Sequence, residues 1–490
     1  MIEAYCGRHS YVVGDAVEVH VSTRSPTFDL KIVRDGAEIT HVASISQNKG
    51  SYYKSPANVV EEGCSWPVAV SFPVESTWRS GFYRIELRTS DGAFAETFFV
   101  VRAKTPTAPI LWVIETNTWV AYNSYGGANT YSSEGAVYQA GAPRVSLLRP
   151  LPRGFLGVDT EMPRLIDMSE FNAWREAGRY DFWCGGASWA ARGQVFARWL
   201  ENEGYEVDYA VSSDLQFMPE LLSRYRAMLS VGHDEYWTWE MRDAVEDFID
   251  RGGHVAFLTG NTAYWQVRLE KGGTQLVAYK VAVDQDPVMG TADERRNTGL
   301  WSNRRTQRTE NKMTGLSFTR GGYSRIAGAT PGSAGGYTIY RPDHWALAGV
   351  ELSYGDQLGL EHKVIGYEND GCEFQFYNGL PYPTGRDGTP ENFEIIGLAP
   401  ATLFDRETAP DGFYPQGALP DLELVALQLE GRVEEETLAR YRCGHAIIGS
   451  YISLAGGVVF NSGTTDWVQV LEDEKVSKIT RNVLNRMIGR

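Results

Sequence analysis

The chain has 490 residues, 43% hydrophobic and 22% charged, a globular composition with room for two or three domains. Its net charge of −16, with no basic stripe, argues against a nucleic-acid partner, whose phosphates such a surface repels. No apolar run approaches the ~20 residues of a membrane span and no basic-then-apolar leader opens the chain. The five cysteines are scattered without CxxC spacing, which speaks against a disulfide framework or a thiolate zinc site, so a reducing cytoplasm is the expected compartment.

Residues 1–103 alternate like an antiparallel β domain. Ala16–Thr23, Phe28–Asp35, Trp66–Val74, Phe82–Thr89 and Glu96–Ala103 read as strands, separated by turns such as Asp35-Gly36 and Asp91-Gly92. A β-sandwich is expected, with its aromatics in the core. The stiff segment Lys104–Pro109 marks the boundary to a second domain, 104–490.

In that second domain β and α signals alternate, which predicts an α/β fold with a mostly parallel sheet. Ile110–Thr116 is an apolar strand opening onto a loop dense in Tyr, Asn and Gly, from Asn117 to Tyr131. Ala191–Gly204 reads as a helix and Glu206–Ser212 as a strand. The segment Tyr225–Trp265 then forms a complete strand–helix–strand unit: Ala227–Val231, a helix capped by Thr238 and stopped by Gly252 and Gly253, and His254–Thr259. Met241, Val245, Phe248 and Ile249 make its apolar stripe, and a crossover of this length predicts parallel strands.

Residues 280–345, polar and rich in Gly and Arg, read as a long excursion, with Arg295, Arg296, Arg304, Arg305 and Arg308 as a solvated cluster. Lys363–Tyr367 reads as a strand leading into a turn that contains Glu368 and Asp370. Gly457–Phe460 is a further strand, and Val476–Ile488 the closing helix.

Parallel strands end on one edge, where ligands bind. His233 and Glu235 follow the first strand of the unit and Asn261 and Tyr264 the second, so imidazole, carboxylate, carboxamide and phenol converge on one crevice. Phenol and carboxylate oxygens from Tyr122, Tyr125, Tyr131, Tyr264 and Glu235 are hard donors suited to a strongly acidic metal; the plainer alternative is hydrogen bonding that holds the loops. Glu368 or Asp370 offers a general base, although an Asn-Asp-Gly turn accounts for Asp370. Cys184, ahead of a helix, offers a thiolate, or simply a buried thiol. No GxSxG elbow, Walker loop or GxGxxG follows a strand.

The motifs NTWVAYNSYGG, VGHDEYW, FLTGNTAYWQVR, VIGYENDG and VFNSGTTDW, in this order, resemble the large (β) subunit-like family of N,N-dimethylformamidase. The resemblance covers most of 110–490. The Tyr225–Gly260 unit also looks like the class I glutamine amidotransferase fold without its nucleophile. The family resemblance implies an amidohydrolase that cleaves a small amide with a metal-activated water at a mononuclear iron (Fe3+). Glu235 matches its carboxylate ligand, Tyr122 a tyrosine ligand with Tyr125 in reserve, and His233, Asn261 and Glu368 its catalytic residues. A second tyrosine is expected soon after an Arg-Pro pair; here Arg149-Pro150 is followed by Leu151, leaving Tyr131, Tyr138 or Tyr264. The resemblance also implies a small-subunit partner and an oligomer. A metal-free binding or assembly protein on the same fold, and a thiol-dependent amidotransferase using Cys184, are the alternatives.

Overall fold

The computed structural model describes residues 1–132, 141–324, 326, 334–410, 413–414 and 418–490. Tyr138 lies outside the described residues. Contacts divide the chain into two compact units, one of Met1–Pro163, Asn172–Phe217 and Leu269–Val277, the other of Arg164–Phe171, Met218–Arg268 and Ala278–Arg490.

In the first unit two sheets enclose one apolar core. The smaller runs in the order Ile2–Cys6, Ala16–Thr23, Val68–Pro73; the larger runs Ser10–Tyr11, Phe94–Val101, Gly81–Thr89, Thr27–Asp35, Thr40–Lys49. Alternation puts Val17, Val19 and Val21 of one sheet and Leu30, Ile32, Ile85 and Leu87 of the other into that core. The strand Thr40–Lys49, half exposed along its length, has too little apolar alternation to be read from sequence. The same unit holds the parallel pair Ile110–Ile114 and Val207–Val211.

The second unit carries the sheet that positions the candidate site. The strand–helix–strand reading holds locally: Ala227–His233 pairs parallel with His254–Gly260 across the helix Trp239–Asp250. Thr238 caps that helix by accepting the Met241 N–H at 3.2 Å, and Met241, Val245, Phe248 and Ile249 are buried beneath it. Val458–Asn461 continues the sheet in parallel.

Beyond that strand the expected fold fails. Cys443–Ile452, Glu394–Thr402, Ser317–Tyr323 and Glu368–Gly371 each run antiparallel to the strand before. The sheet is therefore mixed, strand (31%) outweighs helix (24%), and nothing supports a glutamine amidotransferase-like core or an α/β fold with a mostly parallel sheet. The physical reason is burial on both faces. Ala446–Ser450 and Ile395–Ala399 are covered on either side, so they lose the alternation that betrays antiparallel strands and read like parallel ones. The 280–345 excursion likewise contains the strands Ser317–Tyr323 and Tyr337–Ile339.

Candidate active site

His233 ends its strand, just after Gly232, whose φ of 82° is a left-handed turn that a side chain would strain. Glu235 follows two residues on. A short parallel ladder then pairs Tyr236–Thr238 with Trp265–Val267. Glu235 and Tyr264 each stand one residue before this ladder, and the two loops are laced by Ala263 N–H donating to Asp234 O and Trp265 N–H to Glu235 O, both at 2.9 Å. The two strand ends thus lie side by side, and a ladder invisible in the sequence draws their loops together.

The imidazole of His233 is the centre. Its Nε2 lies 3.0 Å from Glu368 Oε2 and 3.4 Å from Glu235 Oε2, and its Nδ1 is 3.0 Å from the Tyr367 hydroxyl. All four side chains are buried. A carboxylate can only accept, so the two carboxylates favour the tautomer with its proton on Nε2, in which Nδ1 accepts the hydroxyl of Tyr367. Glu368 opens the strand Glu368–Gly371, which the sequence places one element too early, at Lys363–Tyr367.

Asn261 directly follows the strand His254–Gly260, at φ 52°, and Ala263 shares that left-handed conformation. For residues with a Cβ such backbone costs on the order of 1–3 kcal/mol. The Asp370 carboxylate holds the loop, accepting the Asn261 N–H at 2.8 Å and the Thr262 N–H at 3.1 Å. Asp370 is thus no turn residue; it lies fully buried in a strand, and burial pushes its carboxyl up to about 7.

Three further groups share this electrostatic neighbourhood. Among the described residues the buried Tyr264 hydroxyl has no hydrogen-bond partner, and burial together with Asp421, Glu235, Glu310 and Glu368 drives its proton affinity well above the ordinary phenol range. Lys280 is buried over the Trp265 ring, 4.8 Å from its centroid, and donates to the Tyr236 hydroxyl at 2.9 Å. Burial depresses its ammonium well below the usual lysine value, while Glu235, Asp421 and Glu368 pull it back up. Asp421 receives the hydroxyls of Tyr323 and Tyr414, and burial raises it to about 6. Sequence reasoning missed Lys280, Asp421 and Tyr367. Tyr367 is beside Glu368 in the GYE segment and was within reach; nothing in the local pattern marks the other two.

The remaining expected residues lie in the first unit. Tyr122 ends the helix Thr116–Tyr122, its ring 5.0 Å from Tyr131 and 5.4 Å from Trp183. The Tyr125 hydroxyl pairs with Glu3 Oε2 and Ser55 Oγ, each at 3.0 Å. Cys184 is fully buried, and desolvation with Asp181 nearby pushes its thiol up to about 12, the opposite of an activated thiolate. Among the described residues no group of three or more His, Cys, Asp or Glu side chains could hold a metal, so a metal here would depend on phenol oxygens. The cluster from Arg295 to Arg308 is spent on neighbours: Arg296 on Glu240, Arg305 on Asp284, Arg308 on Asp243 and Glu246.

A buried imidazole between two carboxylates, with a carboxamide and a phenol at adjacent strand ends, brings groups able to exchange protons together on a mixed, β-rich fold. The chain belongs to the family described as N,N-dimethylformamidase beta subunit-like, C-terminal, which matches residues 33–480. Among curated proteins it is similar to the N,N-dimethylformamidase beta subunits of Alcaligenes sp, at 24% identity over 484 residues, and of Paracoccus aminophilus, at 24% over 472. Each match covers 87% of this chain and 55% of the relative, so the chain spans about half the length of the curated relatives it matches. Among solved structures, the superoxide reductase (neelaredoxin) from Ignicoccus hospitalis matches 21% of this chain and 80% of that one, at 6% identity and a TM-score of 0.14.

Proposed function

We propose that the protein is an amide hydrolase that cleaves the C–N bond of a small, N-alkylformamide-like amide. The observation that carries this reading is the buried array Tyr367–His233–Glu368, with Glu235 beside the same imidazole, in a chain of this family. Glu368 is the base. Among the described residues its Oε2 makes no hydrogen bond and faces only Nε2, so it takes the proton of the attacking water and returns it to the departing amine nitrogen. His233, fixed by Tyr367, keeps that carboxylate oriented. Asn261, whose Oδ1 has no partner among the described residues, orients the amide group.

The oxygen donors of Glu235 and Tyr264 suit a mononuclear iron(III), which would supply a Lewis acid for the amide carbonyl. The buried hydroxyl of Tyr264, without a partner among the described residues and beside Glu235, supports its inclusion. Tyr122 rests on the sequence motif alone, and the hydroxyl of Tyr125 is already engaged by Glu3 and Ser55. That the curated relatives are named beta subunits supports a further subunit as partner.

The test is amine release from a panel of small neutral amides, with iron measured in the same preparation. Amine release with roughly stoichiometric iron is expected. A protein that hydrolyses none of them, before or after iron reconstitution, would overturn the reading and leave the metal-free binding protein in its place.

A further inference from the structure

Asp370 is a buried carboxylate at the site that pairs with no cation among the described residues and instead accepts two loop amides. It has no exposed surface, and the amides are the backbone N–H groups of Asn261 and Thr262. A carboxylate desolvated for two loop amides is unfavourable unless the loop geometry is worth holding.

Strand geometry says what is being held. Side chains two apart on a strand share a face, so Glu368 and Asp370 project to the same side of Glu368–Gly371. Asn369, between them, turns the other way and donates to Gly322 O at 3.3 Å and Gly366 O at 3.1 Å. One rigid strand face therefore grips both strand ends, His233 through Glu368 and the Asn261 loop through Asp370. The end of the Asn261 strand is packed against the same place: a Cβ on Gly260 would lie 2.6 Å from Glu368 O and 2.5 Å from Thr465 N. The loop itself is left-handed at Asn261 and Ala263, a conformation that relaxes unless its amides are pinned.

We propose that Asp370 is the positioning residue for Asn261: its two oxygens lock the left-handed loop so that the Asn261 carboxamide, whose Oδ1 has no partner among the described residues, faces the substrate in register with Glu368. The catalytic half of this inference rests on the amide-hydrolase reading; the structural half does not.

The experiment separates the two. Hydrogen exchange, resolved to single amides by electron-transfer fragmentation, is measured on the full chain as wild type, D370N and D370E, alongside amide hydrolysis by D370N, N261A and the double variant. The Asn261 and Thr262 amides lie outside the strand ladder, yet in the wild type they should be protected like core amides. D370N replaces one acceptor by an N–H donor and should speed their exchange at least about tenfold while strand Ala227–His233 stays protected. D370E, which restores the charge, should recover part of the protection. In turnover, D370N should lower kcat more than it raises KM, and the double variant should fall no further than N261A, because the two act as one unit. Freely exchanging amides in the wild type overturn the proposal, and do so even if D370N fails to fold. Losses that multiply in the double variant overturn it as well. Absence of turnover in the wild type contradicts the amide-hydrolase reading and leaves the exchange result to decide the positioning role.

Discussion

His233 is held in part by side-chain hydrogen bonding, whose weight is measurable. Tyr367 contributes one hydrogen bond, at Nδ1, and a bond between such groups is worth about 0.5–1.5 kcal/mol. Y367F should therefore cost roughly three- to tenfold in kcat with iron content unchanged, read by steady-state amine release and metal analysis. Asp370 gives a second prediction. Its folded-state pKa is raised from 3.8 to about 7, so the folded state holds this proton more tightly than the unfolded chain. The associated stability is fully present below about pH 4 and is lost as pH rises through about 7, on the order of 4 kcal/mol across the window. Urea midpoints followed by tryptophan fluorescence should fall over that range in the wild type, and the fall should be shallower in D370N.

The same residues show what the sequence could disclose. His233, Glu235 and Asn261 were legible because Gly232 and Gly260 end apolar runs, and strand ends are where chemistry collects. Lys280 was not, because a buried lysine leaves no periodic mark; only the rings of Tyr236 and Trp265 around it, brought in by tertiary packing, reveal it. Asp370 misled because Asn-Asp-Gly is a favoured turn sequence, and here tertiary pairing with Ser317–Tyr323 overrides that local preference.

At the scale of elements, the helix Trp239–Asp250 illustrates a feature fully written in the chain. Its cap, stripe and stop are all local, and the structure keeps each of them. Thr238 also belongs to the short ladder that seats Glu235 and Tyr264. T238A should lower stability by about 1 kcal/mol, the usual value of such a cap, while the ladder, made by backbone, should keep turnover within about twofold. Chemical denaturation and amine release on the same variant check both. The sheet behaves differently. Its parallel part follows from the crossover, but direction cannot be read from an apolar run buried on both faces, as in Ala446–Ser450 and Ile395–Ala399 of the antiparallel part.

For the whole molecule, the net charge of −16 bears on association and not on fold. A neutral amide gains nothing from that field, so kcat/KM should stay flat between ~50 and ~500 mM salt, where surface electrostatics are progressively screened. A steep salt dependence would point to a charged substrate. The described helices include none long and apolar enough to cross a membrane. Two units share the chain, and the expected phenol ligands Tyr122 and Tyr125 fall in one while His233, Glu235, Asn261 and Glu368 fall in the other. The groups proposed for proton transfer thus all lie in the second unit, with Glu368 as the base.

Steady-state amine release by the wild type and E368Q, compared at equal iron content, tests that base most directly. The account predicts a loss of about 10²-fold or more, with fold and iron unchanged. Undiminished turnover in E368Q would contradict it.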